Sequence, residues 1–134
     1  MRKILLSGGA LLPATLLLGL ATPLLAAEKP GRGLYLENCS ACHRPDGVGV
    51  KGAFPALAGS QVVLGAKAQV AGRVLNGRGG MPAFKTELTD IQIAQILTYV
   101  RSSWGNAAAP VTPIDIAAAR KGPPPIAART LQAH

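Results

Sequence analysis

The chain has 134 residues and a formal net charge of +8, from 14 basic and 6 acidic side chains. This length suits one small domain and excludes a multidomain enzyme, and two cysteines exclude a disulfide-dense scaffold. The basic residues form no stripe studded with aromatic side chains, which argues against nucleic acid and favours acidic protein faces or anionic lipid. The chain has only two Phe, two Tyr and one Trp, which are few large side chains to fill a core. We therefore expect a bound group to complete it.

Residues 1–27 have the pattern of an export leader. Arg2 and Lys3 precede an apolar stretch from Ile4 to Leu25, and small residues follow. The 24 residues from Ile4 to Ala27 are also long enough to cross a bilayer as a helix, although internal Gly and Pro weaken that helix. Residues 1–27 are therefore predicted to be a removed signal peptide or an uncleaved N-terminal anchor, and in both cases the rest of the chain is exported.

Two cysteines and a histidine stand together in Cys39-Ser40-Ala41-Cys42-His43. This order is the attachment motif for c-type haem, in which the two thiols form thioethers with the vinyl groups and the imidazole faces the iron. Two other chemistries stay open. A redox-active dithiol needs a thioredoxin-like alternation of strands and helices, and a zinc site needs a fourth ligand, for which His134 is the remaining candidate. We predict one haem c, bound through Cys39 and Cys42, with His43 as an iron ligand.

Met81 is the candidate for the second axial position on the iron. It is the only methionine apart from the initiator, and it lies between Gly80 and Pro82. Glycine lets the backbone approach a flat ligand closely, and a soft thioether ligand favours the reduced metal and raises its potential. The alternative is that Met81 only fills a gap in the core. If Met81 binds the iron, the iron is closed to substrates and can only exchange electrons.

Taken in chain order, these motifs resemble a class I cytochrome c. The matching segments are Gly31-Arg32-Gly33-Leu34-Tyr35, Cys39 to His43, Gly47, Gly49, Phe54-Pro55 and Gly80-Met81-Pro82. The resemblance implies an all-α fold of three to four helices wrapped around one covalently attached haem, with the first and last helices of the family crossing at Gly31. It also implies that the Pro55 carbonyl accepts a hydrogen bond from Nδ1 of His43, with an ordinary rigid turn as the alternative. Tyr99 is a further candidate for contact with the haem, with packing in the core as the alternative.

Local patterns predict where the helices lie. A first helix is expected from about residue 31 to 41, and another from 66 to 76, ended by Gly77. The clearest helix starts at a capping box of Thr89 and Gln92 and carries an apolar stripe that ends in Trp104. A short helix over 114–121 has Pro at its start, and the proline run 123–125 prevents further helix. These patterns divide the chain into the leader, a cytochrome c domain over 28–106 and a C-terminal extension over 107–134 with a short helix and a Pro-rich tail.

The stretch from Leu97 to Asn106 further resembles the cytochrome subunits and domains that accept electrons from periplasmic dehydrogenases. By this analogy we expect a periplasmic electron carrier, soluble or anchored to the inner membrane by its N-terminal segment, and not an enzyme. The expected partners are a dehydrogenase donor and an oxidase or other respiratory acceptor. Two alternatives remain: a permanent electron-transfer subunit of a membrane-associated dehydrogenase complex, and a haem enzyme with an open sixth site.

Overall fold

The computed structural model describes residues 28–122. The predicted leader over 1–27, the Pro-rich tail from residue 123 and the zinc candidate His134 lie outside the described residues. Six helical segments follow one another along the described chain: α1 (Arg32–Asn38), α2 (Ser40–His43), α3 (Gln61–Leu64), α4 (Lys67–Asn76), α5 (Asp90–Arg101) and α6 (Pro113–Arg120). Apart from two isolated bridges, residues 28–122 form no β structure. The predicted all-α fold is confirmed, although the segments outnumber the three to four helices expected.

The predicted helix over 31–41 is interrupted at Cys39, which separates α1 from α2 at φ −125° and ψ −30°. Polar side chains on both sides of the break bond to carbonyls of the preceding turn. The Asn38 amide donates to the Leu34 carbonyl at 2.8 Å, and the Ser40 hydroxyl donates to the Leu36 carbonyl at 2.7 Å. Such bonds compete with the backbone ladder and bend helices. The break makes Cys39 the first residue of a separate turn that carries the whole motif.

Helix α5 forms the centre of the core and packs against α1, α3, α4 and α6. It begins at the predicted capping box, because the Thr89 hydroxyl accepts from the Gln92 N–H and the Gln92 side chain accepts from the Thr89 N–H. A Cβ on Gly31 would lie 2.1 Å from the Gln95 carbonyl oxygen. This confirms that α1 crosses α5 where only glycine fits.

The apolar stripe of α5 does not extend to Trp104 as predicted. The helix ends at Arg101, and Trp104 follows it with a left-handed backbone at φ 54°. Trp104 still packs on the core, because its indole occupies the space that a Cβ on Gly47 would need, at 2.4 Å. The sequence pattern thus identified a core residue and assigned it to the wrong kind of backbone.

Helix α6 lies over α4 and α5 and is part of the core. Ile116 is 0% exposed, and Val111, just before the helix, is also buried. The start of α6 is tied to α4 by the Lys67–Asp115 ion pair at 3.0 Å, and its end is tied to α5 by the Arg120–Asp90 ion pair at 2.5 Å. None of the helices between residues 28 and 122 combines the length and apolar character needed to cross a membrane.

Candidate functional site

The structure brings five of the six predicted site residues to one cavity of about 470 Å³. Cys39, Cys42, His43, Pro55 and Met81 all line it, although Met81 is separated from His43 by the full length of α3 and α4 in the sequence. The remaining lining is mainly apolar and comes from α1, α3, α4, α5 and the loops between the helices. Its larger apolar members are Phe54, Leu57, Val62, Val63, Val70, Val74, Phe84, Ile96, Leu97 and Val100.

The motif occupies a single helical turn. The N–H of His43 donates to the Cys39 carbonyl at 3.0 Å, and both cysteines are free thiols and half-buried. Burial, and to a smaller degree the neighbouring Cys42, raise the pKa of Cys39 to about 11. A redox-active cysteine pair needs the opposite, a thiol whose pKa is lowered so that the thiolate forms at neutral pH. The helical surroundings and this pKa both argue against the dithiol alternative.

His43 is fixed by a hydrogen bond to the chain. It is 8% exposed, and its Nδ1 lies 2.9 Å from the Pro55 carbonyl oxygen. Because a carbonyl can only accept, Nδ1 must carry the proton, which leaves the lone pair on Nε2 available to a metal. This is the contact that the resemblance implies.

Gly49 allows the Pro55 carbonyl to reach His43. The Gly49 backbone has φ +65°, and a Cβ there would lie 2.4 Å from the Phe54 carbonyl oxygen and 2.6 Å from that of Pro55. The N–H of Gly49 also donates to the His43 carbonyl at 3.1 Å. The loop after the motif therefore folds back on it only because this position lacks a side chain.

Met81 sits in a tight turn after α4. Its N–H donates to the Arg78 carbonyl at 3.0 Å, and its carbonyl accepts from the Arg78 N–H at 3.1 Å. Gly77 ends α4 as predicted, with φ +66°, and a Cβ on it would lie 2.4 Å from the Met81 carbonyl oxygen. The thioether is half-buried and lines the cavity that the cysteines and His43 also line. A soft thioether sulfur therefore lines the same cavity as the imidazole.

Tyr99 is the one predicted site residue that the structure keeps out of the cavity lining. It is 6% exposed and packs against Tyr35 and Trp104, with ring centroids 5.4 and 5.5 Å away. Tyr35 lines the cavity instead, and its hydroxyl donates to the Arg44 carbonyl at 2.5 Å. Core packing, the alternative for Tyr99, is what the structure supports.

The residues around the cavity fit a covalently bound haem. Two unlinked thiols one turn apart can form two thioethers, an imidazole with its Nδ1 already satisfied can bind iron, and the apolar lining suits a porphyrin. Zinc fits less well, because residues 28–122 contain no group of three or more Cys, His, Asp or Glu side chains that could hold a metal.

Fold and site together define a c-type cytochrome. Residues 26–100 match the protein family described as cytochrome c oxidase, cbb3-type, subunit III. The chain is also 31% identical to cytochrome c-552 of Thermus thermophilus, over 72% of this chain and 72% of that protein. The chain belongs to the cytochrome c family, which makes it an electron-transfer protein that carries haem c on Cys39 and Cys42.

Other relatives are much longer proteins. The chain is 34% identical to the cytochrome c subunit of alcohol dehydrogenase (quinone) from Gluconacetobacter polyoxogenes, over 75% of this chain and 24% of that subunit. It is also 34% identical to the gluconate 2-dehydrogenase cytochrome c subunit of Pantoea cypripedii, over 80% of this chain and 26% of that subunit. The chain thus spans about a quarter of the dehydrogenase subunits that it matches.

Two arginines that line the cavity, Arg73 and Arg78, belong to a set of basic residues for which the sequence left two interpretations open: a ring around the haem edge that recruits an acidic partner, or scattered surface charge. Sequence reasoning missed two other polar residues that shape the site. Asn106 is buried, its amide donates to the Leu57 and Val100 carbonyls, and its Oδ1 accepts from the Gly59 N–H. Arg101 is buried as well. The available signal was the stretch from Leu97 to Asn106, which the resemblance to dehydrogenase cytochrome subunits singled out without assigning a role to these two side chains.

Proposed function

We propose that the chain is a periplasmic monohaem cytochrome that carries single electrons from a dehydrogenase-type donor to a respiratory-chain acceptor. The observation that carries this proposal is the meeting of His43 and Met81 on the apolar cavity that Cys39 and Cys42 line. An imidazole and a thioether are the two ligands that close a haem iron and raise its potential. A closed iron binds no substrate, so the site is suited to electron transfer alone.

The chain's own residues supply the proposed iron ligands. His43 would bind through Nε2, because the Pro55 carbonyl holds the proton on Nδ1. Met81 would bind through its sulfur, held in place by the turn with Arg78. When bound, the haem supplies a one-electron couple between its oxidised and reduced iron. The apolar lining keeps water away from that couple and so limits the reorganisation that accompanies each transfer.

The dehydrogenase donor is proposed from the relatives. Both are described as cytochrome c subunits of dehydrogenases, and this chain matches about a quarter of each. The single C-x-x-C-H motif means that electrons pass one at a time and not along a series of haems within the chain. A permanent place in a dehydrogenase complex is the second arrangement compatible with these similarities.

The cavity lining favours an acidic partner. Arg73 and Arg78 are its cationic members, and none of the described residues that line it is Asp or Glu. Complementary charge speeds the encounter of two redox proteins and aligns their facing surfaces. We therefore place the docking surface for donor and acceptor on the side of the molecule where these arginines border the cavity.

Native purification tests the proposed function. The full chain is isolated from its own cells under mild detergent, and its spectrum is recorded in the oxidised form with and without cyanide. We expect a soluble protein with a sulfur-to-iron band that cyanide leaves unchanged. A dehydrogenase present in fixed ratio would establish the permanent subunit, and a high-spin spectrum altered by cyanide would establish a haem enzyme with an open sixth site.

A further inference from the structure

Arg101 holds a positive charge inside the protein. The residue is 3% exposed, and within residues 28–122 its guanidinium donates only to backbone carbonyls. Nε donates to Ala109 at 2.7 Å, and Nη1 donates to Gly65 at 3.0 Å and to Val63. These acceptors satisfy three of the five guanidinium donors, those on Nε and Nη1, and they carry no net charge. Hydrogen bonding therefore leaves the charge of Arg101 uncompensated.

No carboxylate side chain neutralises Arg101. All six Asp and Glu residues of the chain lie within residues 28–122. In this described part, four of them pair with other cations at 2.5 to 3.6 Å, and none pairs with Arg101. Arg120 is the instructive contrast, because it is more exposed and faces Asp90 at 2.5 Å.

Arg101 lies directly behind the wall of the cavity. It binds the carbonyl of Val63 and follows Val100 in the chain, and both valines line the cavity. Apolar side chains therefore separate the charge from the cofactor site, and solvent screens it poorly. Arg78 also borders the cavity but is exposed, so water and salt weaken its effect.

We propose that Arg101 raises the reduction potential of the site through its buried charge. The proposal rests on the electron-transfer function proposed above. An electron arriving from the donor protein lowers the positive charge of the site by one unit, and a nearby unpaired cation favours that change. Arg101 would then raise the potential, while Asn106 connects the end of α5 to the loop before α3 through its bonds to the Val100 and Leu57 carbonyls.

The test compares the midpoint potentials of full-length, haem-loaded variants. Replacing the charge in Arg101→Gln is expected to lower the equilibrium constant for reduction about tenfold, which for one electron is about 59 mV. Arg101→Lys keeps the charge but loses the planar fork of donors. Its equilibrium constant for reduction is expected to stay within about threefold of the wild-type value. Arg120→Gln also removes one cation, but a paired and more exposed one, and should change the equilibrium less than Arg101→Gln.

A merely structural role gives a different result. Removing the charge should lower the unfolding free energy, measured in urea, more for the reduced protein than for the oxidised protein. Lost packing would lower the two unfolding free energies equally. If Arg101→Gln does not fold, a tenfold fall in Arg101→Lys would overturn the proposal. An unchanged potential in a folded Arg101→Gln would also overturn it. Cyanide sensitivity of the wild-type protein would instead count against the proposed function.

Discussion

In the proposed function, Met81 is the residue that closes the iron to other ligands. Its thioether lines the cavity with His43, and the turn with Arg78 holds its backbone. Met81→Ala removes the sulfur and leaves the turn intact. We expect the reduction potential to fall by about 0.1 V, because a harder ligand or water replaces a soft one.

The same variant should bind cyanide in the oxidised form, which absorption spectroscopy follows directly. Leu57→Ala is the matched control, because it also enlarges the cavity and removes no ligand. An unchanged spectrum in Met81→Ala, with or without cyanide, would show that another group is the sixth ligand.

A comparison of Gly49 and Gly52 distinguishes the cost of a left-handed backbone from the cost of a steric clash. Both have a left-handed backbone, at φ +65° and +81°, but a Cβ on Gly49 meets two carbonyls and one on Gly52 meets nothing within 4 Å. Gly52→Ala should cost about 1 kcal/mol of unfolding free energy from the backbone alone. Gly49→Ala should cost about 2–3 kcal/mol more, because it displaces the Pro55 carbonyl from His43.

Urea unfolding of the haem-loaded protein measures both costs, and NMR of the His43 ring reports the lost hydrogen bond. Equal losses in the two alanine variants would mean that the close approach at Gly49 is not needed to hold Pro55.

At the scale of the helices, the start of α6 depends on Asp115. The backbone N–H of Thr112, then Lys67 and the Thr112 hydroxyl, lower the pKa of Asp115 to about 2. An aspartate in the unfolded chain has a pKa of about 3.9, so the folded protein gains stability from Asp115 above that pH. The gain is lost as the pH falls from about 4 to about 2.

Asp115→Asn should therefore lower the unfolding free energy by about 1 kcal/mol at pH 7, and the difference from wild type should vanish near pH 2. Denaturant unfolding across this pH range checks both statements. Asp46→Asn is the control, because Asp46 faces Arg44 at 3.6 Å on the surface and caps no helix. A pH-independent difference for Asp115→Asn would point to a cause other than its charge.

The helices show what the sequence could predict. The capping box at Thr89, the proline at the start of α6 and the stop at Gly77 are local signals, and α5, α6 and α4 begin or end where these signals lie. The break at Cys39 depends on side chains that bond back to the preceding turn, which the sequence does not reveal. Helix α3 has four residues and is too short to show a helical periodicity. Trp104 was predicted to be buried by its spacing, but its left-handed backbone follows from tertiary packing against Gly47.

The site residues likewise divide into those that the sequence alone identifies and those that only the structure assigns. Cys39, Cys42 and His43 are contiguous, so the sequence alone identifies them as one motif. Arg101 and Tyr99 could not be assigned from the sequence, because an arginine or a tyrosine near the end of a helix looks the same in the sequence whether it faces solvent, core or cavity. Only the packing of α3 and of the segment after α5 buries Arg101.

For the molecule as a whole, charge should govern how fast electrons enter and leave. Arg73 and Arg78 border the cavity, so an anionic reagent such as hexacyanoferrate should react quickly at low salt and more slowly as salt screens the attraction. The double change Arg73→Gln and Arg78→Gln is expected to slow this reaction about five-fold at low salt and to make it nearly independent of salt.

Stopped-flow kinetics with the anionic reagent and with a cationic one measure the effect, and the cationic reagent should respond in the opposite direction. Lys121→Gln removes a cation that does not line the cavity and serves as the control. The same loss of rate for Lys121→Gln would show that net charge, and not the arginines beside the cavity, directs the approach.

The position of α6 in the chain has a consequence for how the protein is assembled. Helices α4 and α5 supply much of the cavity wall, yet Lys67 and Asp90 find their partners only on a helix synthesised after both. Until residues 113–120 have emerged, nothing from α6 clamps these two walls together. We therefore expect a brief period during biogenesis in which a large planar group can enter and be ligated, before α6 packs on α4 and α5 and fixes their positions.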